Sequence, residues 1–313
     1  CEPRAQVPEL RRQSAAAMSL ESLDYLLRYV AIPLLVSVVL SSILTYVVRG
    51  LTHRFGLLDK PGEHKQHAAP TPTLGGLPVF LAFLAGCMLA GFSPRLGCIL
   101  QASAALIVVG VCDDIWDVRA KLKLGTLFLA TAWLWWNGIH LDAFGLTGLG
   151  ALLVTFLWVG LISSAFNGVD NADGAAGGLA IISAVATFAI SWATWQRDLA
   201  TVSLVLGGAC FGFLLFNFPW PRATIFLGDS GSLFLGFGLA AFTILGEWSS
   251  VGWKSGFIGL LLVFVPLFDF LFILVSRGLD GRYKSWEDPI RMCGRDHLSH
   301  RLRYMGLSPR QVL

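Results

Sequence analysis

"FNGVDNADGAAGG", residues 166–178, stands between two apolar runs, 148–165 and 175–194, that carry no Asp, Glu, Lys or Arg. It sets Asn167, Asp170 and Asp173 three residues apart and follows them with Gly and Ala. Each flanking run approaches the roughly 20 residues that cross a hydrocarbon layer. If both runs span a bilayer, these polar groups stand at a span end. If they do not, two carboxylates are buried in a core. Composition decides between the two. Of 313 residues, 55% are hydrophobic and only 14% charged, with a mean hydropathy of +0.67. A soluble domain carries about 25% charged residues. This chain cannot cover a water-facing surface and is read as an all-α polytopic membrane protein.

Working outward, nine spans are predicted: roughly 26–48, 76–92, 97–112, 124–139, 148–165, 175–194, 199–217, 231–246 and 255–276. Residues 1–25 form a polar N-terminal segment, 26–276 a transmembrane domain, and 277–313 a basic cytoplasmic tail or loop. No short basic region leads into a short apolar core, so the first run reads as a retained span. The chain begins at Cys1 rather than Met, and a fragment or a trimmed product is expected. The six cysteines form no CxxC and read as small hydrophobes. A net charge of +3 does not point to nucleic acid.

The charges are distributed unevenly. Loops after the odd-numbered spans, with the tail, hold 16 of the 23 Lys and Arg residues. Cationic loops stay inside, so these loops are placed in the cytoplasm of an inner (plasma) membrane. Trp133, Trp135, Trp136, Trp192, Trp195, Trp248 and Trp253 fall near the opposite ends, as an outer aromatic belt would. Alternation then gathers five distant stretches on one face: "HKQHAAPTPTLGG", "VCDDIWDVRAKLK", the opening stretch, "IFLGDSGS" and "RDHLSHRL".

Asp113 and Asp114 follow an apolar run directly. A carboxylate at bilayer depth costs about 2.5–3.5 kcal/mol, so it is a functional candidate. The alternative is that this pair caps span four or pairs with Lys121 and Lys123. With Asp170, Asp173 and Asp229 on the same face, an oxygen-rich site for Mg²⁺ (or Mn²⁺) shared with phosphates is favoured. Asp229 lies between glycines ahead of a span, where helix N–H groups attract anions; plain capping is the alternative. Asn167, Asp170 and Asp173 share one face if helical. His297, His300 and Arg301 read as a phosphate-gripping patch, or as a solvated basic tail. Lys65, with His64 and His67, has the same two readings.

These motifs resemble the polyprenyl-phosphate N-acetylhexosamine-1-phosphate transferases, of the glycosyltransferase family 4 type. "LLDKPGEHKQHAAPTPTLGG", "DDIWDVRAKLK", "NGVDNADG", "FLGDSGSLFLGF" and "DHLSHRLRYMGLSPRQ" match the family's motifs in order, with Pro266 and Asp269 as its P-x-x-D. His64, Asn171 and Ser299 depart from its commoner residues. The resemblance implies a polyprenyl phosphate acceptor, a UDP-N-acetylhexosamine donor and Mg²⁺, on the cytoplasmic face. It implies Asn167 and Asp229 at the metal, with Asp170 nearby, and Asp113 and Asp114 at the lipid phosphate. Lys123 would meet the diphosphate, Asp173 and Phe226 the uridine, and His297, His300 and Arg301 the donor. Lys65 would close the site. One or two further spans usually follow this tail in the family, and a homodimer is left open. Rival readings are a carboxylate-lined transporter, the UDP-MurNAc-pentapeptide branch, and a CDP-alcohol phosphotransferase, whose D-G-x-x-A-R pattern fails here.

Overall fold

The computed structural model describes residues 24–59, 70–116, 118–142, 146–218, 222–249, 252–283 and 296–312. Helices dominate: α1 (Leu26–Phe55), α2 (Gly76–Ala90), α3 (Pro94–Trp116), α4 (Ala120–Trp136), α5 (Gly148–Val169), α6 (Ala175–Ala193), α7 (Arg197–Asn217), α8 (Gly228–Leu245), α9 (Gly252–Leu262) and α10 (Phe264–Leu279). Two short helices, α11 (Leu298–Tyr304) and α12 (Pro309–Val312), close the chain. The only strands among the described residues are β1 (Leu58–Asp59) and β2 (Thr71–Pro72), paired antiparallel.

Six helices are long and apolar enough to cross a membrane, and a seventh crossing is possible if α9 and α10 count as one. The all-α polytopic expectation holds, and each of the nine expected spans falls on a helix or helix pair. The expected span at 255–276 is nevertheless broken: α9 and α10 meet at 83°. Val263 leaves helical geometry there (φ −122, ψ 20). Pro266 sits in the first turn of α10, where its missing N–H costs no intrahelical bond. α2 and α4 run only 15 and 17 residues.

The helices also outrun the apolar stretches. α3 continues to Trp116 and holds Asp113 and Asp114 in its last turn. α5 continues to Val169 and holds Asn167, while α8 starts at Gly228 and holds Asp229 in its first turn. The polar residues are thus presented on helical backbone instead of on loose connections.

α7 and α8 form the interior. α8 packs against α5, α3 and α2, and α7 against α6, α1 and α2. Their inward faces include Phe213, Phe234, Phe237 and Phe242, each almost fully buried. Outward faces stay apolar, as on α1 (Leu35, Val39, Ile43, Tyr46), which suits lipid rather than water. Trp136 and Trp195 are exposed, as a belt requires. Trp248 is not, because its indole turns inward and donates to the Thr243 carbonyl at 3.0 Å.

Small residues set how closely the helices meet, as in membrane bundles. A Cβ at Gly110 of α3 would overlap the Ser230 backbone, and one at Gly76 of α2 would overlap Gly231. These contacts seat the start of α8 between α2 and α3. Gly110→Leu should force α3 off α8 at a cost of about 1–3 kcal/mol or more. The expected outcome is a melting temperature lowered by several degrees, or loss of a monodisperse purified protein, checked by thermal scanning in detergent.

Candidate active site

The first turn of any helix has N–H groups without intrahelical partners. In α8 the partner comes from another helix. Asp114 of α3 accepts from the Asp229 amide (2.8 Å), the Ser230 amide (3.3 Å) and the Ser230 hydroxyl (2.7 Å). Gly228 makes this approach possible twice over: its φ is +77, and a Cβ there would lie 2.6 Å from Asp114 Oδ2. So Asp114 is a cap, as the alternative reading had it, but of a helix more than a hundred residues away.

The cap delivers Asp229 to a polar cluster. Lys123, in the first turn of α4, donates from Nζ to Asp229 Oδ2 (2.6 Å) and Asp113 Oδ2 (2.9 Å). Asn167 Nδ2 donates to Asp229 Oδ1 and Ser232 Oγ, both at 3.0 Å. The Val118 amide donates to Asp113 Oδ1 at 2.8 Å. Asp170, just past the end of α5, completes the group. Burial, then the negative charge of Asp229 and Asp114, holds its carboxyl well above the usual carboxylate range. Six of the residues picked out by sequence, from α3, α4, α5 and α8, therefore meet at one end of the bundle.

Asp173 and Phe226 flank this group. Asp173 accepts from the Ala223 amide at 2.9 Å, and the Phe226 backbone pairs with Pro72 and Gly75. Asn217 holds this corner together and escaped sequence reasoning. Its Oδ1 accepts from the Gly174 amide (2.9 Å) and its Nδ2 donates to the Ile225 carbonyl (2.9 Å). A lone amide closing an otherwise apolar run was the only signal.

The tail forms a second cluster. Asp269 of α10 faces His297 Nδ1 at 2.7 Å and accepts from the Leu298 amide at 2.6 Å. Arg277 grips Asp296 through two bonds, at 2.6 and 2.8 Å, which holds the Asp296 carboxyl below its ordinary range. His297 and His300 are both buried. A Cβ at Gly168 would lie 3.1 Å from the His297 ring, so the histidine packs directly on the Asn167–Asp170 stretch. Arg301 turns instead onto α10: it donates to the Asp296 carbonyl and stacks on Phe272 at 4.8 Å. Lys65 lies outside the described residues. Asn171 and Ser299, two of the departures from the family pattern, bond to each other at 2.9 Å, while Asn171 also donates to the Gly168 carbonyl.

Among the described residues no three His, Cys, Asp or Glu side chains are grouped to hold a metal by themselves. The Asp229 and Asp113 carboxylates, a hard oxygen donor pair, meet at a cation, the Lys123 ammonium, and the Asn167 side-chain amide lies against Asp229. That fits an ion such as Mg²⁺, which takes one or two carboxylates and completes its shell with substrate phosphates.

Comparison with known proteins fits this arrangement. Over 304 residues the chain is 32% identical to a probable undecaprenyl-phosphate N-acetylglucosaminyl 1-phosphate transferase of Bacillus subtilis, covering 92% of this chain and 81% of the relative. Residues 96–247 match glycosyl transferase family 4. The chain belongs to glycosyl transferase family 4. A decaprenyl-phosphate N-acetylglucosaminephosphotransferase of Mycobacterium tuberculosis is also 32% identical, over 95% of this chain and 81% of its own length. An undecaprenyl-phosphate alpha-N-acetylglucosaminyl 1-phosphate transferase of Salmonella typhi is 28% identical, over 87% of this chain and 76% of its own. The family match contains Asp113, Asp114, Lys123, Asn167, Asp170, Asp173, Phe226 and Asp229, and ends before α10 and the histidine tail.

Asn217→Ala leaves the Gly174 amide and the Ile225 carbonyl without partners. It should cost about 2 kcal/mol or more. A melting temperature lowered by several degrees in detergent would register the loss.

Proposed function

We propose that this family 4 enzyme transfers N-acetylhexosamine-1-phosphate, with N-acetylglucosamine as the favoured sugar, from a UDP-sugar to polyprenyl phosphate. UMP is released, and a lipid-linked glycan is begun. The observation that supports this best is the meeting of Asp113, Lys123, Asn167, Asp170 and Asp229 at the ends of apolar helices. There an acceptor can keep its chain in lipid and bring its phosphate to the headgroup level. Residues 26–276 are the catalytic domain of a multi-pass inner-membrane protein, with this face cytoplasmic; 277–313 are its basic cytoplasmic tail, of which 296–304 pack on α10.

A lipid phosphate oxygen attacks the β-phosphorus of the donor. The bond from that phosphorus to the bridging oxygen breaks, and UMP leaves with the electron pair. Such transfers ask a protein for in-line positioning and charge compensation. Asp229 and Asn167 would hold Mg²⁺, which when bound offsets charge on the transferring phosphoryl group. Asp113 orients the acceptor phosphate and takes any remaining proton, a modest task since the second pKa of such a phosphate is about 6. Asp114 acts through Asp229, whose helix it caps. Lys123 offers its ammonium to the diphosphate. Asp170 lies near Asp229, beside the place where the ion would be held. Asp173 and Phe226 receive the uridine, the ring by stacking, and His297 and His300 the donor's phosphates or sugar. Arg301 supports the histidine helix on α10, and Lys65 closes the site.

A transporter would keep a free carboxylate in a broken helix. The broken pair here does carry Asp269, but both its oxygens are engaged by His297 and Leu298.

Purified protein should convert UDP-N-acetylglucosamine to UMP only with both a polyprenyl phosphate and Mg²⁺ present. Asp229→Asn should lower that rate at least a hundredfold with an unchanged melting temperature. Near-normal UMP release by a well-folded Asp229→Asn protein would remove Asp229 from the metal site.

A further inference from the structure

A groove of about 610 Å³ lies away from the acidic cluster, at the polar end of α1. Its lining combines two chemistries. Arg49, His53 and Arg54 supply basic groups within two helical turns, and Tyr46, Val47 and Leu51 supply apolar surface. Thr224 forms the opposite wall. None of these residues has a role in the transfer proposed above.

Arg49 is held in place. Its guanidinium lies 5.4 Å from the Tyr46 ring and 5.5 Å from the Phe216 ring, and it donates to Thr224 Oγ1 at 3.3 Å. Cation–π contacts and one hydrogen bond fix the plane of the group and leave further N–H donors. Arg54 and His53 are exposed one turn further on, at the end of α1. Below them the outward face of the helix is continuously apolar: Leu35, Val39, Ile43 and Tyr46 are all more than half exposed. In a bilayer this puts a fixed guanidinium at phosphate depth, directly above a surface that only acyl chains can cover.

We propose that this groove binds the headgroup of an anionic phospholipid. The phosphate pairs with Arg49 and Arg54, and an acyl chain lies along α1. Charge complementarity favours an anionic over a zwitterionic lipid, since each basic group near an anionic surface adds to the attraction. A bidentate guanidinium–phosphate pair adds direction that a diffuse surface potential lacks. The site has a route to the catalytic face. Thr224 lies between Ala223, which bonds Asp173, and Phe226, whose backbone is tied to Gly75.

The test is native mass spectrometry of the full chain released from detergent, titrated with phosphatidylglycerol or phosphatidylcholine. One phosphatidylglycerol should bind at least tenfold more tightly than phosphatidylcholine. Arg49→Gln/Arg54→Gln should erase that preference, while Arg119→Gln, on an exposed cation elsewhere, should preserve it. If the double variant does not fold, Arg54→Gln alone should reduce the preference severalfold. Equal binding of the two lipids by the parent chain would overturn the proposal, as would an undiminished preference in the folded variants. Displacement of the bound phosphatidylglycerol by undecaprenyl phosphate at equimolar concentration would also overturn it, by assigning the groove to the acceptor. The binding readout needs no activity, so its failure is separate from failure of the transferase reading.

Discussion

The start of α8 is where the chemistry of this protein is decided. A helix end packed between neighbouring helices needs partners for its free N–H groups. Asp114 is that partner, from α3, with the Ser230 hydroxyl as a third donor. That single cap fixes the separation of α3 and α8 and aims Asp229 at Lys123 and Asn167. Gly76, Gly110 and Gly228 have no side chain because the cap and its surroundings leave none any room. The geometry of the acidic cluster is therefore a consequence of helix termination. Each helix that contributes to it runs a few residues past its apolar stretch and presents its polar groups in order.

The tail is attached by the same logic. α10 offers Asp269 to the first turn of α11 and Arg277 to Asp296, so a short helix that could not stand alone is clamped onto the bundle. His297 is then pressed against Gly168, one residue from Asn167. The bend between α9 and α10 matters here. It swings Asp269 to a position where a segment beyond the last span can reach it.

Much of this was legible in the sequence. Apolar runs and charge bias placed Asp113, Asp114, Asn167, Asp170 and Asp229 on one face, because a bilayer leaves few alternatives for where a carboxylate can stand. Lys123 was legible because its motif joined it to the acids. What was not legible falls into two kinds. The break at Val263 lies inside an unbroken apolar run, and hydropathy carries no signal for a bend. Side-chain partnerships across long separations were also hidden. Asn217 reads as a stray amide until Gly174 and Ile225 are seen beside it, and Asn171 and Ser299 read as separate departures from the family pattern until they are seen bonded to each other. Arg301 reads as part of a phosphate-gripping patch, and its length and planarity let it stack on Phe272, a contact that the sequence does not announce. Trp248 was assigned to a belt by position alone, and its N–H found the Thr243 carbonyl in the interior.

The central claim is that the cluster built on the capped start of α8 holds a divalent cation together with a donor diphosphate. Electron–nuclear double resonance on the Mn²⁺-loaded protein tests it most directly. With UDP-N-acetylglucosamine added, the account predicts a phosphorus coupling to a single bound Mn²⁺, and loss of that bound ion in Asp229→Asn. A Mn²⁺ that shows no phosphorus coupling, or that binds Asp229→Asn as tightly as the parent protein, would contradict it.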